Sequence, residues 1–192
     1  MVDIDPREIT GPWDKGYVLD RHTISSTMIG YNEFGYPEFD TVRSPLGELV
    51  YRLKYRHDNA TVVPIAETVA RFVGGLGICP EVVIPMPPSK QRPEQPLFEI
   101  GKELSKMLQV PLNTEVVSKI KSTPQMKDIG DYSQRVAALD GAFTVSTAVV
   151  GKEVLILDDL FQSGASMRVL ATAIKHAGAK AVYCIALTRT RG

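Results

Sequence analysis

An α/β fold, with a parallel sheet covered by helices on both faces, is what the sequence predicts, and three observations predict it. From residue 82 onward, short apolar runs such as "EVVIPM", "VLILDD" and "AVYCIALTRT" alternate with amphipathic segments. Apolar runs without a polar residue at every second position are strands buried on both faces, as in a parallel sheet between helix layers. Between them, Leu97, Ile100, Leu104 and Met107, and later Met167, Leu170, Ala171 and Ile174, recur at helical spacing. Finally, a chain of 192 residues, 44% of them hydrophobic, is long enough for one well-buried domain and short for two full ones.

Each element has its own signals. The stretch "GYVLDRHTISSTMIGYNEFGYPEFDTVRS" is rich in Gly, Thr, Tyr and Phe and reads as short strands and turns. Ser44 is an N-cap and Pro45 a first helical residue. The helix they open carries Leu46, Leu49, Val50 and Leu53 on one face. A second helix is expected from Pro64, with Ile65, Ala66, Val69 and Val73 inward, ending at Gly74-Gly75. The strand "EVVIPM" and the helix "LFEIGKELSKML" follow, then the strand "TEVVSKI" and a polar stretch without periodicity, "KSTPQMKDIGDYSQR". "GAFTVSTAVVGKEVLILDD" holds one or two strands, and a helix ending at Gly178 leads to the closing strand. There is no internal repeat and no low-complexity segment.

Composition excludes several classes. With 22 basic and 22 acidic residues, no global charge favours nucleic acid. The acidic, polar start "MVDIDPREITGPWDKG" is neither a signal nor a transit peptide, and no apolar run approaches membrane-spanning length. Cys79 and Cys184 form neither a zinc pattern nor a redox pair, so a reducing, cytoplasmic setting is expected, with Cys184 a buried core thiol. His22, His57 and His176 lack metal-ligand spacing. Gly74-Gly75-Leu76-Gly77 follows no strand and is no dinucleotide loop.

Chemistry concentrates in "VLILDDLFQSGASM", residues 154–167. Two adjacent carboxylates repel by ~1 kcal/mol at 4 Å in water and by ~4 kcal/mol at a protein's edge, so something is expected to offset them. Asp158 and Asp159 are placed at the carboxyl end of a strand, where ligands of parallel sheets bind. Leu160, Phe161, Gln162, Ser163, Gly164, Ala165 and Ser166 then form a loop of small residues running into a helix. Free N–H groups at a helix start make a phosphate cradle, and Ser163 and Ser166 add hydroxyls. An N-cap turn beside solvated acids is the bland alternative. It explains Ser163 but not the acid pair. A phosphate at one end and hydroxyls or a metal at the other describe a phosphorylated sugar.

This stretch resembles the signature of type I phosphoribosyltransferases: apolar residues, two acids, an apolar residue, two variable positions, then Thr/Ser-Gly-x-Thr/Ser. The resemblance implies that Asp158 and Asp159 hold the ribose of phosphoribosyl pyrophosphate (PRPP), and that residues 160–166 hold its 5-phosphate. "GELVYRLKYRHD", "VIPMPPSKQR" and "TPQMKDIGDYSQRVAALDGAF" are similar, in order, to segments of the ComF (competence protein F) branch. Together these matches cover residues 44–192. They imply a type I phosphoribosyltransferase-like domain over 44–192, with a mainly parallel five-stranded sheet, and a small hood over 1–43. Pro87, Pro88, Ser89, Lys90 and Arg92 fall where the family binds pyrophosphate. Residues 121–135 fall at its closing lid, with Lys127 and Arg135 as the lid's cations.

The implied activity is Mg²⁺-dependent transfer of ribose 5-phosphate to a nitrogen acceptor, with the metal carried by the substrate and Asp158 and Asp159 as its candidate ligands. The alternatives are a non-catalytic PRPP or nucleotide sensor and a ComF-like accessory of DNA uptake. The chain lacks that branch's four-cysteine zinc ribbon. Gln162 stands where purine-salvage relatives carry an acid, and an amide cannot act as a base, which speaks against 6-oxopurine salvage. No residue stands out as a dedicated base. Trp13 and the N-terminal aromatics either stack on an acceptor or simply pack. Acceptor, pathway and oligomeric state stay open.

Overall fold

The structure, a computed structural model, describes residues 1–88, 95–119, 141 and 143–190. Its main sheet has five strands. In chain order these are β1 (Arg7–Glu8), β2 (Lys15–Arg21), β5 (Val82–Pro85), β8 (Glu153–Phe161) and β9 (Ala181–Arg189), arranged β1-β2-β9-β8-β5. Only the short edge strand β1 is antiparallel; β2, β9, β8 and β5 run parallel. The expected α/β class and mainly parallel five-stranded sheet are what is found.

Four helices are described: α1 (Pro45–Arg56), α2 (Val62–Gly75), α3 (Pro96–Leu108) and α4 (Ala165–His176). The start of α1 follows the sequence reading, with Pro45 in the first turn and the Ser44 hydroxyl accepting from the Gly47 N–H at 3.0 Å. Each helix buries an apolar stripe, as with Leu46, Val50 and Leu53 of α1 or Met167, Leu170 and Ile174 of α4. Val154–Leu157 in the interior strand β8 are wholly buried, as are Val182 and Cys184 of the central strand β9. Burial between two helix layers explains why these strands are continuously apolar. No described helix is long and apolar enough to cross a membrane.

The N-terminal 43 residues divide in a way the hood expectation did not foresee. β2 enters the main sheet parallel to β9, with Val18 and Leu19 in the core. Trp13 is buried too. Its indole N–H donates to the Ile9 carbonyl at 2.8 Å, and its ring lies so close to Gly11 and Gly16 that a Cβ at either would clash. Packing, not stacking on an acceptor, is therefore its role. The part that stands off the sheet is the hairpin of β3 (Thr23–Tyr31) and β4 (Pro37–Arg43), which exposes Ile29, Tyr31, Phe34 and Tyr36.

A second small ladder pairs β6 (Val117–Lys119) with β7 (Phe143–Val145), antiparallel, bringing Lys119 opposite Phe143. The span expected to be a lid, residues 121–135 with Lys127 and Arg135, lies outside the described residues.

Candidate functional site at the carboxyl edge of the sheet

The carboxyl ends of β2, β9, β8 and β5 lie side by side, and most of the sequence-predicted residues that are described gather there. β8 runs further than expected. Leu160 and Phe161 continue the strand, paired with Thr188 and Arg189 of β9, and the Thr190 N–H donates to the Phe161 carbonyl at 3.3 Å. β9 supplies ladder partners that far, and turn residues begin only at Gln162. Leu160 and Phe161 therefore belong to the strand, and the loop proper is Gln162–Gly164.

Strand geometry also separates the two acids. Successive side chains of a strand point to opposite faces. Asp158 shares a face with Ile156, whose register partner is Cys184, while Asp159 turns toward α1. Asp158 accepts the Asp159 N–H on Oδ1 at 2.8 Å. Burial, and after it the neighbouring Asp159 carboxylate, push Asp158 up to about 7, although backbone N–H groups and Lys54 pull the other way. Burial likewise lifts the Cys184 thiol, with Asp158 adding to the effect.

What offsets the like charges includes a residue that sequence reasoning missed. Lys54, in the last turn of α1, places Nζ 2.7 Å from Asp159 Oδ2, both side chains being partly buried. A signal was present: Lys54 lies four residues after Val50, at the edge of the buried stripe of α1, where a lone cation needs an acidic partner. His22 and Thr188 were also missed. His22 Nδ1 lies 3.1 Å from Thr188 Oγ1, which donates to the Asp159 carbonyl at 3.0 Å.

The turn after β8 is built for close approach. Gly164 has φ +72°, and a Cβ there would fall 2.6 Å from two atoms of the Phe161 ring. As N-cap of α4, Gly164 offers no side chain to the first N–H groups, and Ala165 and Ser166 form the first turn. Those N–H groups have no intrahelical partner and are free to bind an anion. Beside them the Met86 N–H donates to the Leu157 carbonyl at 2.8 Å. Pro87 and Pro88, the start of the expected pyrophosphate loop, thus leave β5 at the same carboxyl edge as the acid pair. Ser89, Lys90 and Arg92 lie outside the described residues.

No family model matches the sequence, and no curated protein matches it. Among solved structures, the chain is similar to a hypothetical protein from Neisseria gonorrhoeae with bound ppGpp. That match has 12% identity and a TM-score of 0.45, covering 69% of each chain. A purine phosphoribosyltransferase from Pyrococcus horikoshii is 17% identical with a TM-score of 0.44, over 68% of this chain and 82% of that one. The glutamine PRPP amidotransferase from B. subtilis, complexed with ADP and GMP, is 16% identical with a TM-score of 0.49. It is matched over 80% of this chain but only 34% of its own.

Proposed function

We propose that the chain binds PRPP and transfers its ribose 5-phosphate to a nitrogen acceptor, releasing pyrophosphate. One observation carries this reading. Two adjacent carboxylates and an uncapped helix start are joined by a short Gly turn at the carboxyl edge of a parallel sheet. The 5-phosphate sits on the first N–H groups of α4 with the hydroxyls of Ser163 and Ser166. Asp158 and Asp159 hold the ribose at the end of β8, approaching it from the strand's two faces, where their negative charge favours the positive charge that develops at C1′ as pyrophosphate departs. Pro87, Pro88, Ser89, Lys90 and Arg92 take the pyrophosphate, with Lys127 and Arg135 closing from the lid.

Mg²⁺ belongs to this reading as a partner of the substrate. Among the described residues, no three His, Cys, Asp or Glu side chains stand together to hold a resident metal. Two carboxylates fit a Mg²⁺ that arrives on phosphate oxygens, since that ion commonly takes one or two carboxylates from the protein. When bound, it supplies charge neutralisation on the leaving pyrophosphate. The Asp158 and Asp159 carboxylates would hold it, and Lys54 already engages one oxygen of Asp159.

Titration calorimetry with PRPP, with and without Mg²⁺, tests the binding, and pyrophosphate release tests turnover. Binding is expected, stronger with Mg²⁺, and weakened by about 1–3 kcal/mol in Asp159→Asn, the loss of hydrogen bonds to a charged group. No heat with or without Mg²⁺ overturns the reading. Binding without pyrophosphate release from any acceptor identifies a regulator instead of a transferase.

A further inference from the structure

A hydrogen-bonded line runs from the backbone of Asp159 through Thr188 to His22. Thr188 Oγ1 lies 3.0 Å from the Asp159 carbonyl oxygen and 3.1 Å from His22 Nδ1. A threonine hydroxyl has one proton, and a carbonyl only accepts. The proton of Thr188 therefore goes to Asp159, and His22 must supply the other bond as Nδ1–H. In the neutral ring this leaves the lone pair on Nε2. No described residue hydrogen-bonds Nε2.

The backbone that carries the ring is also held in place from several sides. His22 directly follows β2 at the carboxyl edge, and its N–H donates to the Arg189 carbonyl at 2.8 Å. Its own carbonyl lies against the first turn of α1, where a Cβ on Gly47 would fall 2.3 Å from that oxygen. One residue back, the Ser44 hydroxyl donates to the Arg21 carbonyl at 2.5 Å. Lys54 and Glu48 of α1, Arg43 of β4 and Asp159 of β8 act on the ring through their charges, and Asp20 and Arg21 precede it on β2. Burial, then Lys54 and Arg43, hold the imidazole below its usual range, while Asp159 and Glu48 act less strongly in the other direction. The balance of these influences favours the neutral ring. Precise positioning through a second residue is how such a base keeps one tautomer.

We propose that His22 Nε2 is the proton acceptor for the nitrogen nucleophile, with Thr188 and the Asp159 carbonyl as its positioning groups. This rests on the phosphoribosyl reading. The nucleophile's lone pair forms the bond to C1′ while the C1′–O bond to pyrophosphate breaks, the electron pair leaving with pyrophosphate. The nitrogen, now carrying one proton too many, passes it to Nε2, and the imidazolium returns it to solvent. The substrate class is therefore an amine or heterocycle that reacts through a nitrogen bearing at least one hydrogen.

Two measurements on the full chain test this. Long-range ¹H–¹⁵N spectra of the free protein should show His22 protonated on Nδ1 and bare on Nε2, with that preference lost in Thr188→Val. Pyrophosphate release from Mg²⁺–PRPP, with ammonia in buffered ammonium chloride as the probe nucleophile, should fall about 10²–10⁴-fold in His22→Asn. The Asn amide can keep the bond to Thr188 without offering a base, so PRPP affinity should stay within about twofold, and at saturating Mg²⁺–PRPP, where protons no longer compete at Asp158, the acid limb of the pH profile should vanish. An Nε2–H tautomer, or release in His22→Asn within about threefold of the parent, overturns the assignment alone. Parent protein that binds PRPP but releases no pyrophosphate with ammonium overturns it as well. Parent protein that binds no PRPP overturns the phosphoribosyl reading and this assignment together.

Discussion

Replacing Asp158 by Asn removes a carboxylate that the fold holds near pH 7, and the consequence for stability has a definite sign. In the unfolded chain the group ionises near its ordinary 3.8; in the folded chain burial and Asp159 raise it to about 7. An acid raised on folding favours the folded state while it is protonated. Its contribution is therefore complete below pH 3.8 and is lost as the pH climbs through 7. Where the unfolded chain is ionised and the folded one is not, each pH unit costs about 1.4 kcal/mol, so from pH 5 to pH 8 the parent loses about 2–3 kcal/mol through this group. Asp158→Asn keeps the size and loses the titration. Urea denaturation of both proteins across that range, in chelator and without ligand, should show the variant gaining that amount on the parent between the two ends. Near a chain length of 200, this corresponds to about 5–10 °C in Tm. Titrating groups that do not interact with Asp158, His22 among them, contribute alike to both curves and cancel in the difference. Parallel curves would refute the argument, because they would mean that Asp158 ionises in the fold as easily as in water.

The companion of this variant is Lys54→Met, which leaves Asp159 without its cation. A loss of about 1–2 kcal/mol is expected at pH 8 and a smaller one at pH 5, where Asp158 carries its own proton; equal losses would reduce Lys54 to packing. Gly164→Ala should destabilise by at least about 1–2 kcal/mol and weaken phosphate binding, since its φ of +72° and the Phe161 ring both oppose a Cβ. Adding Phe161→Leu should restore only the steric share, which denaturation of the double variant measures. Purified without chelator, the protein should hold no stoichiometric zinc, because Cys184 is buried and Cys79 has no described metal-ligating cluster around it. Elemental analysis finding one zinc per chain would contradict this.

The α/β class was legible because burial on both faces writes itself into β5, β8 and β9 as uninterrupted apolar runs. The place of β2 was not. "KGYVLDR" is short, with Gly16 at one end and charges at the other, and nothing local says that its partner is β9, more than 160 residues away in sequence. The acid pair and the Gly turn were legible as chemistry, since adjacent carboxylates beside small residues are costly without a purpose. The end of β8 was misjudged for a related reason. Asp-Asp reads as the stop of a strand, whereas the ladder with Thr188 and Arg189 carries the backbone on to Phe161. Lys54, His22 and Thr188 were missed because each comes from a different element, and only the shared edge of β2, β8 and β9 and the end of α1 bring them together.

That convergence changes what the acid pair requires of a ligand. Taken alone, two carboxylates on neighbouring residues call for a cation from outside. Here Asp159 already has Lys54 at 2.7 Å, and Asp158 sits near its own midpoint at neutral pH. The free site thus carries close to one uncompensated half-charge rather than two full ones. On the function proposed above, an incoming Mg²⁺ or ribose hydroxyl would compete with a proton at Asp158 and with Lys54 at Asp159. The first competition makes binding release protons below pH 7, and the second ties ligand entry to the last turn of α1. Arg43 joins the same helix, its guanidinium 3.6 Å above the Tyr51 ring and paired with Glu48, and it ends the β3–β4 hairpin. Displacing Lys54 from Asp159 therefore perturbs the charges around Arg43 and His22 at once. The exposed hairpin is anchored at the point where that perturbation arrives.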